Sequence, residues 1–529
     1  MIIRKRIFLI TSGAYVNAEL ASDFGLIPAA FLPVGHKRLM ELQFDLIKSF
    51  DVHKYISLPD DFNLQQRDIN ILKENLINIY RSPKSFSLKQ SLISFISNLN
   101  LEEVEELYIL HGDTLYSNID LYSDVLYVNN TNMFYKWGNL EDITDKYEAK
   151  FKNSIISGYF SFKDVNLLKK SLEDSSDFVE ALSYYNKTNK FKLIKGENWL
   201  DFGHSNLYYK SKVKLNVTRN FNKTEAKLNY ILKSSLDYKK IINEFKWFEE
   251  FPNEISHYTP RVWGLDSKES AYKIEFVAAP TIQEKWVFGE LDDKYYYNSI
   301  IELFALISNL KNYSNKCDLE TKKQLLTNLY INKTELRLKD YILSCDYNFS
   351  KEIYINKKKY PSLEDFKKEV FENLNSRIKT ITKPNLGLMH GDLCFSNVLI
   401  DNRCNSIKLI DPRGSLSNDK LIDNCTIGDF AYDVAKLGHS LLANYDFIVT
   451  GFYDLHFDLN KYEFDLTFYK KTSDDLTNLF YSKSSELGLS KIFVKSSIAN
   501  LFLSMLPLHK ENKNRQLAFL INAYKFYYD

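Results

Sequence analysis

Cysteine is scarce in this chain. There are five in 529 residues (Cys317, Cys345, Cys394, Cys404 and Cys425), an odd number without the paired spacing of a metal site. That argues against a disulfide framework and leaves free thiols in a reducing cytoplasm as the expectation. An excess of either charge is also missing: 69 Lys and Arg stand against 68 Asp and Glu, for a net charge of +1. The totals therefore give no reason to expect nucleic acid or an anionic membrane as a partner. No run of eighteen apolar residues appears, so no membrane insertion is expected. The opening MIIRKRIFLITSGAY has basic residues before an apolar run, but IFLI is too short for a signal peptide and reads as a first buried strand. Low-complexity linkers and solenoid repeats are absent as well. What remains is an ordinary globular composition, 45% apolar and 26% charged, with a length that suggests two to four domains.

Short apolar runs and helical stretches alternate through residues 1–213. RIFLIT, KYISLP, EELYILHGD, DVLYVNN and NSIISGYFSF read as strands; LMELQFDLIKSF and SLKQSLISFISNL read as amphipathic helices. Such alternation predicts an α/β layered domain with a mostly parallel sheet. From Lys214 the pattern changes. KLNVTRNF and KLNYILKSS read as paired strands, DYKKIINEFKWFEEF as a helix stopped by Pro252, and PRVWGLD and AYKIEFVAA as two more strands. Beyond about Trp286 the chain turns mostly helical, interrupted by the hairpin-like KEIYINKKKYPS. The expected divisions are 1–213, 214–285 and 286–529.

The densest chemistry lies in LGLMHGDLCFSNVLIDNRCNSIKLIDPRG. An apolar strand leads into His390-Gly391-Asp392, Asn397 follows five residues after Asp392, and a second strand delivers Asp411. Phosphoryl transfer needs a carboxylate to orient and deprotonate the attacking hydroxyl, and oxygen ligands for the magnesium that neutralises the phosphates. Asp392 suits the first role; Asn397 and Asp411 suit the second. The spacing is that of a protein-kinase-like catalytic loop.

On these residues the segment resembles the aminoglycoside phosphotransferase and choline kinase superfamily, whose pattern is H-G-D, an N five residues on, then I-D on the next strand. The downstream G-D-x-x-Y-D-x-A of that family reads here as Gly428-Asp429-Phe430-Ala431-Tyr432-Asp433-Val434-Ala435. The resemblance covers roughly residues 214–529. It implies a bilobal α+β protein-kinase-like domain that binds ATP with Mg2+, with Asp392 catalytic and His390 bracing its loop. It also implies a strand lysine for the ATP phosphates and a helix glutamate to hold it, which points to Lys233 and Glu244. IEFVAAPTIQE resembles the adenine-gripping hinge, placing Glu275 to Val277 there. The glycine-rich loop of protein kinases is absent from RNFNKTEAKLNY. Arg413 is open between pairing with an acidic neighbour and holding phosphate.

Residues 1–213 resemble sugar-nucleotide and choline-phosphate nucleotidyltransferases, which implies a Rossmann-like, GT-A-like fold. RIFLITSG corresponds to the strand that delivers the nucleotide loop, with Ser12 and Gly13 in it. IPAAFLPVGHKRLMELQ resembles the family's proline-lysine-x-leucine stretch and contains Lys37. ELYILHGDTLY and ENWLDFGHSNLYYKSK place Asp113 and Asp201 as the two carboxylates for a magnesium ion. That ion would neutralise a triphosphate, from CTP or another NTP, while a substrate phosphate attacks its α-phosphorus. Two departures stand out. The loop SGAYVNAELASDFG contains no arginine or lysine, and Ala29 occupies the signature lysine position. Each lost contact of this kind is worth about 2–4 kcal/mol of transition-state stabilisation; Lys37 and Arg38 are the nearby cations that would compensate in part.

The combination implies a bifunctional cytoplasmic enzyme. It would phosphorylate a small alcohol or sugar with ATP and activate the product with an NTP, as in the preparation of precursors for capsule or lipooligosaccharide. The alternative is a small-molecule kinase whose N-terminal domain binds or regulates without catalysis. An antibiotic-modifying phosphotransferase is a third reading, against which the extra domain argues.

Overall fold

The computed structural model describes residues 4–131, 137–215, 222–226, 230–266, 271–316, 318–345, 348, 350–382, 385–413 and 427–529. The chain forms two compact units. The first holds residues 1–215 with the short segment Phe288–Glu290; the second holds 216–287 and 291–529.

A seven-stranded sheet organises the first unit. Its strands are β1 (Lys5–Thr11), β2 (His53–Pro59), β3 (Ile77–Ser82), β4 (Val104–His111), β5 (Val125–Asn129), β6 (Ile155–Phe162) and β7 (Lys192–Lys195), in the order β7-β5-β6-β4-β1-β2-β3. β1 runs parallel to β2 and β4, and β2 parallel to β3; β6 is antiparallel to both β4 and β5. Phe8, Leu9 and Ile10 are all buried, so β1 is apolar on both sides, as a central parallel strand covered on two faces must be. Helices Leu88–Ser97, Val165–Asp174 and Phe178–Thr188 contribute to that cover, each opened by a side-chain cap from Ser87, Asp164 or Asp177. Strand β3 and the last two of these helices are elements that the sequence pattern left unassigned. Register aligns the carboxyl ends of the parallel strands: Thr11 lies opposite Ser57 on one side and His111 on the other. Open α/β sheets place ligands just beyond such strand ends.

The second unit begins with a four-stranded antiparallel sheet: β8 (Asn222–Ala226), β9 (Tyr230–Ser235), β10 (Val262–Asp266) and β11 (Ala271–Glu275), in the order β8-β9-β11-β10. The expected first strand, KLNVTRNF, is corrected here. Lys214 and Leu215 close the helix Ser205–Leu215, and the strand paired with β9 is β8; residues 216–221 lie outside the described residues. α1 (Tyr238–Glu250), capped by Asp237, buries Ile241, Glu244, Phe245, Trp247 and Phe248 on one face. The remainder is mainly helical, with α2 (Lys333–Leu343), α3 (Leu363–Thr380), α4 (Phe430–Leu441), α5 (Lys491–Met505) and α6 (Lys513–Tyr528). The hairpin β12 (Ile353–Ile355) and β13 (Lys358–Tyr360) forms where KEIYINKKKYPS predicts one, and joins Tyr453–Asp458 and Glu463–Phe468 in a small sheet.

The segment Lys491–His509 is long and apolar enough to cross a membrane by length and composition, although the sequence has no unbroken apolar run of that length. It packs against α2, α3, α4 and α6, and is 72% buried within the protein. That is the behaviour of a core helix. Cys345, Cys394 and Cys404 are free thiols; Cys317 and Cys425 lie outside the described residues.

Candidate functional sites

In the second unit, His390-Gly391-Asp392 follows the strand Asn385–Leu388, and Asp411 follows the hairpin Val398–Asp401 with Ser406–Leu409. The loop between them is tightly tied. The His390 and Gly391 N–H groups each donate to one oxygen of Asp433 at 2.8 Å. Asp433, buried on α4, belongs to the downstream motif but had no role assigned from sequence. Burial pushes its carboxyl up to about 7, opposed by these two donors. Gly391 has φ +77°, and a Cβ there would meet Arg413 Cβ at 2.9 Å, so both conformation and space call for glycine.

His390 is fully buried with both ring nitrogens engaged. Nε2 lies 3.1 Å from the Ile410 carbonyl, and Nδ1 accepts from the Asp392 N–H at 3.2 Å. Burial lowers its pKa to about 4, so the ring is neutral at physiological pH. This arrangement is that of a brace. Trp247 adds to it from α1, its indole N–H donating to the Met389 carbonyl at 2.9 Å.

Asp392 is half-exposed and pairs with Lys436 Nζ at 2.8 Å. Burial opposes ionisation, but Lys436 holds the carboxyl well below the usual carboxylate range. Asn397 donates its amide to the Asp392 carbonyl at 2.8 Å, and its amide oxygen accepts from the Ser396 hydroxyl at 3.4 Å with a second lone pair left for a ligand. Asp411 adopts φ +56°, which keeps its carboxylate half-exposed beside Lys233.

Lys233 and Glu244 meet as a strand–helix pair. Lys233 Nζ lies 2.6 Å from Glu244 Oε2 and 2.5 Å from Asp411 Oδ1, with Lys233 and Glu244 almost wholly buried. Burial opposes the charge on Lys233, but Asp411, Tyr272 and Glu244 keep its ammonium well above the ordinary range. Tyr272 also donates to Glu244 at 3.2 Å. Five residues distant in sequence, Lys233, Glu244, Asp392, Asn397 and Asp411, thus form one connected framework with the loop. The hinge residues differ from one another. The Glu275 N–H is spent on the Arg261 carbonyl at 2.8 Å, whereas Val277 uses its carbonyl to accept from Ala279 at 2.9 Å.

In the first unit a cleft of ≈ 310 Å³ opens at the aligned strand ends, lined by Ser12, Gly13, Ser57, Ser91, Asp113 and Gly203 among others. Ser12 receives the Ala30 N–H on its hydroxyl at 3.0 Å, and its own N–H donates to Ser57 Oγ at 3.0 Å. Gly13 sits against Ser57, Ser82 and Ser91. Asp113 and Asp201 approach on either side of Gly203, where a Cβ would fall 2.5 Å from Asp113 Oδ2 and 3.5 Å from Asp201 Oδ1. Burial and the charge of Asp201 raise Asp113 to about 6. Asp201 is oriented by the Trp137 indole and the Gly203 N–H, both at 2.8 Å.

The cations expected to help here are engaged elsewhere. Lys37 pairs with Asp45 at 3.0 Å on the surface. Arg38 is corrected from a compensating cation to a structural one: it is buried, bonded to Asp68 at 2.8 Å and to the Phe31 carbonyl at 3.1 Å. No lysine or arginine lines the cleft among the described residues.

Searched by sequence, the chain matches no protein-family model and no curated protein. Solved structures similar to parts of it include the inositol-1-phosphate CTP transferase from T. maritima, at 16% identity over 41% of this chain and 99% of that one, TM-score 0.29. Another is the 4-diphosphocytidyl-2C-methyl-D-erythritol synthase from Anaerococcus prevotii, at 14% over 40% and 99%, TM-score 0.29. A third is choline kinase LicA from Streptococcus pneumoniae, at 13% over 59% and 91%, TM-score 0.33. Nucleotidyltransferases and a choline kinase are thus both among its structural neighbours. At these scores the likeness adds no argument about what either unit does.

Proposed function

We propose that the second unit transfers the γ-phosphoryl group of ATP to the hydroxyl of a small alcohol or sugar. The observation that carries this reading is the connected framework of Lys233, Glu244 and Asp411 with the braced Asp392 loop. The alcohol oxygen bonds to the γ-phosphorus as the bond to the β–γ bridging oxygen breaks. ADP leaves with that electron pair, and the hydroxyl proton passes to Asp392. Lys233, fixed by Glu244, binds ATP phosphates, and Val277 marks the adenine hinge. Asn397 and Asp411 fit Mg2+: one offers an amide oxygen that keeps a lone pair beside its Ser396 contact, the other a half-exposed carboxylate that meets Lys233 through Oδ1. When bound, the ion neutralises phosphate charge. The test is ATP consumption across a panel of alcohols and sugars; no consumption with any of them, together with no binding of Mg–ATP, contradicts the reading.

For the first unit we propose a nucleotidyltransferase that activates the phosphorylated product with CTP or another NTP, giving a precursor for capsule or lipooligosaccharide. Two carboxylates held around Gly203, one of them raised by burial and by the charge of the other, fit a divalent cation, which would neutralise a triphosphate. A second reading, a non-catalytic binding or regulatory domain, is favoured by the lack of lysine and arginine in the described lining of the cleft. Incubation with CTP, UTP, GTP or dTTP and phosphorylated substrates separates them: pyrophosphate release supports catalysis, and none with any pair supports the binding domain.

A further inference from the structure

The surroundings of Asp392 carry more positive charge than the base needs. Lys436 pairs with it. Beyond that pair lie Lys333 and Arg337, one turn apart on α2 and so on one face of that helix, and Arg413, whose N–H donates to the His390 carbonyl at 2.8 Å. Tyr432, buried on α4, joins the groups: Lys333 Nζ donates to its hydroxyl at 3.4 Å. Among the described residues, Arg337 donates to the Ser504 carbonyl at 3.0 Å.

Among the described residues, no carboxylate pairs with Lys333, Arg337 or Arg413, and all three are partly accessible. A cation withdrawn from water without a counter-ion costs free energy, and the groups respond as that predicts. Burial pulls Lys333 down to about 8, with Arg413, Arg337 and Lys436 adding to the effect and Tyr432 opposing it. The Tyr432 hydroxyl is drawn down to about 8 against its burial, by Lys333, Lys436 and Arg413. Lys436 and Arg413 act directly on the Asp392 carboxylate, and Lys333 and Arg337 stand close enough to both Arg413 and Tyr432, the partner of Lys333, to belong to the same group. Lys333, Arg337 and Lys436 stand on α2 and α4 and Arg413 in the loop after Asp411, whereas Lys233 comes from the four-stranded sheet.

Resting on the kinase reading above, we infer that the acceptor is an alcohol that itself carries an anionic group, phosphate or carboxylate, held by Lys333, Arg337 and Arg413. The anion anchors the acceptor with its hydroxyl beside Asp392, and the product bears the new phosphate ester as a second anionic group. A quaternary ammonium alcohol such as choline is repelled from the same place.

Calorimetry on the full chain with a non-hydrolysable ATP analogue and Mg2+ tests this, with glycerol, glycerate, glycerol 3-phosphate and choline as probes. One of the two anionic probes should bind at least ten-fold more tightly than glycerol and choline, and which one does so separates carboxylate from phosphate. Lys333→Met and Arg337→Gln should each weaken that binding at least ten-fold, Lys333→Arg should restore most of it, and affinity for the ATP analogue should stay within two-fold. Equal or tighter binding of choline or glycerol overturns the inference, as does failure of both anions to bind. So does an anion that the ATP analogue displaces, which would assign these cations to the nucleotide. The kinase reading is tested separately: transfer of the γ-phosphoryl group to an alcohol at the wild-type rate in Asp392→Asn overturns that reading itself.

Discussion

Replacing Lys233 with methionine should destabilise the second unit, by an amount set by pH. Glu244 has 2% of its side chain exposed and loses its 2.6 Å partner; Lys240, 3.9 Å away on the surface, and the Tyr272 hydroxyl are weak substitutes. Breaking a buried pair costs about 3–5 kcal/mol because one charge is left uncompensated. Protonation limits that cost. Burial already raises the Glu244 carboxyl above the ordinary 4.5 against the opposing charge of Lys233, so neutralising it after the substitution costs at most about 3.4 kcal/mol at pH 7 and about 0.7 kcal/mol at pH 5. The sign follows: with Lys233 gone, the Glu244 pKa in the folded protein lies above its unfolded value. The protonated form's contribution is present below 4.5 and is lost as pH rises. Asp411, half-exposed, keeps its hydration and adds little. Guanidinium unfolding followed through the buried Trp247 and Trp286 should therefore show a loss of up to about 3 kcal/mol at pH 7 that shrinks to under about 1 kcal/mol at pH 5. Lys233→Met combined with Glu244→Leu should recover most of the pH 7 loss. Equal losses at both pH values, or no recovery in the double variant, would refute the reasoning.

Other outcomes follow from the same geometry. Lys436→Met removes the cation nearest Asp392, so the acidic limb of the ATP-turnover profile should move up by about one to three pH units; an unmoved limb would show that Lys436 does not set the state of the base. Asp411→Ala should lose Mg–ATP binding, measured by calorimetry, while wild-type affinity in that variant would remove Asp411 from the site. Asp113→Ala and Asp201→Ala should leave ATP turnover within two-fold of wild type if the two sites work separately. Gly203→Ala puts a methyl 2.5 Å from Asp113 Oδ2 and should abolish any pyrophosphate release; full release would contradict the placement of the carboxylate pair.

The parts legible in the sequence were those encoded locally. The apolar runs of β1, β2 and β4 read as buried strands, and the spacing of Asp392, Asn397 and Asp411 is a property of one loop and one hairpin. Lys233 and Glu244 were reached because a strand lysine followed by a helix glutamate is a short-range pattern. What escaped depends on contacts distant in sequence. Lys436 meets Asp392 across 44 residues, and Lys333 meets Tyr432 across 99; no local pattern marks either. Asp433 sat inside a recognised motif, but its two backbone partners appear only once α4 packs under the loop. Arg38 misled for the complementary reason: next to Lys37 it reads as an available cation, and only folding brings Asp68 to it. KLNVTRNF alternates like a strand, yet Lys214 and Leu215 are taken up by the helix that begins at Ser205, where tertiary packing outweighs local preference.

The most direct measurement follows γ-labelled phosphate from ATP onto an alcohol acceptor, in the wild-type chain and in Asp392→Asn. The substitution removes the base and spares Lys233, Asn397 and Asp411, so ATP affinity should be nearly unchanged while label transfer disappears. Transfer at the wild-type rate in Asp392→Asn would contradict the account.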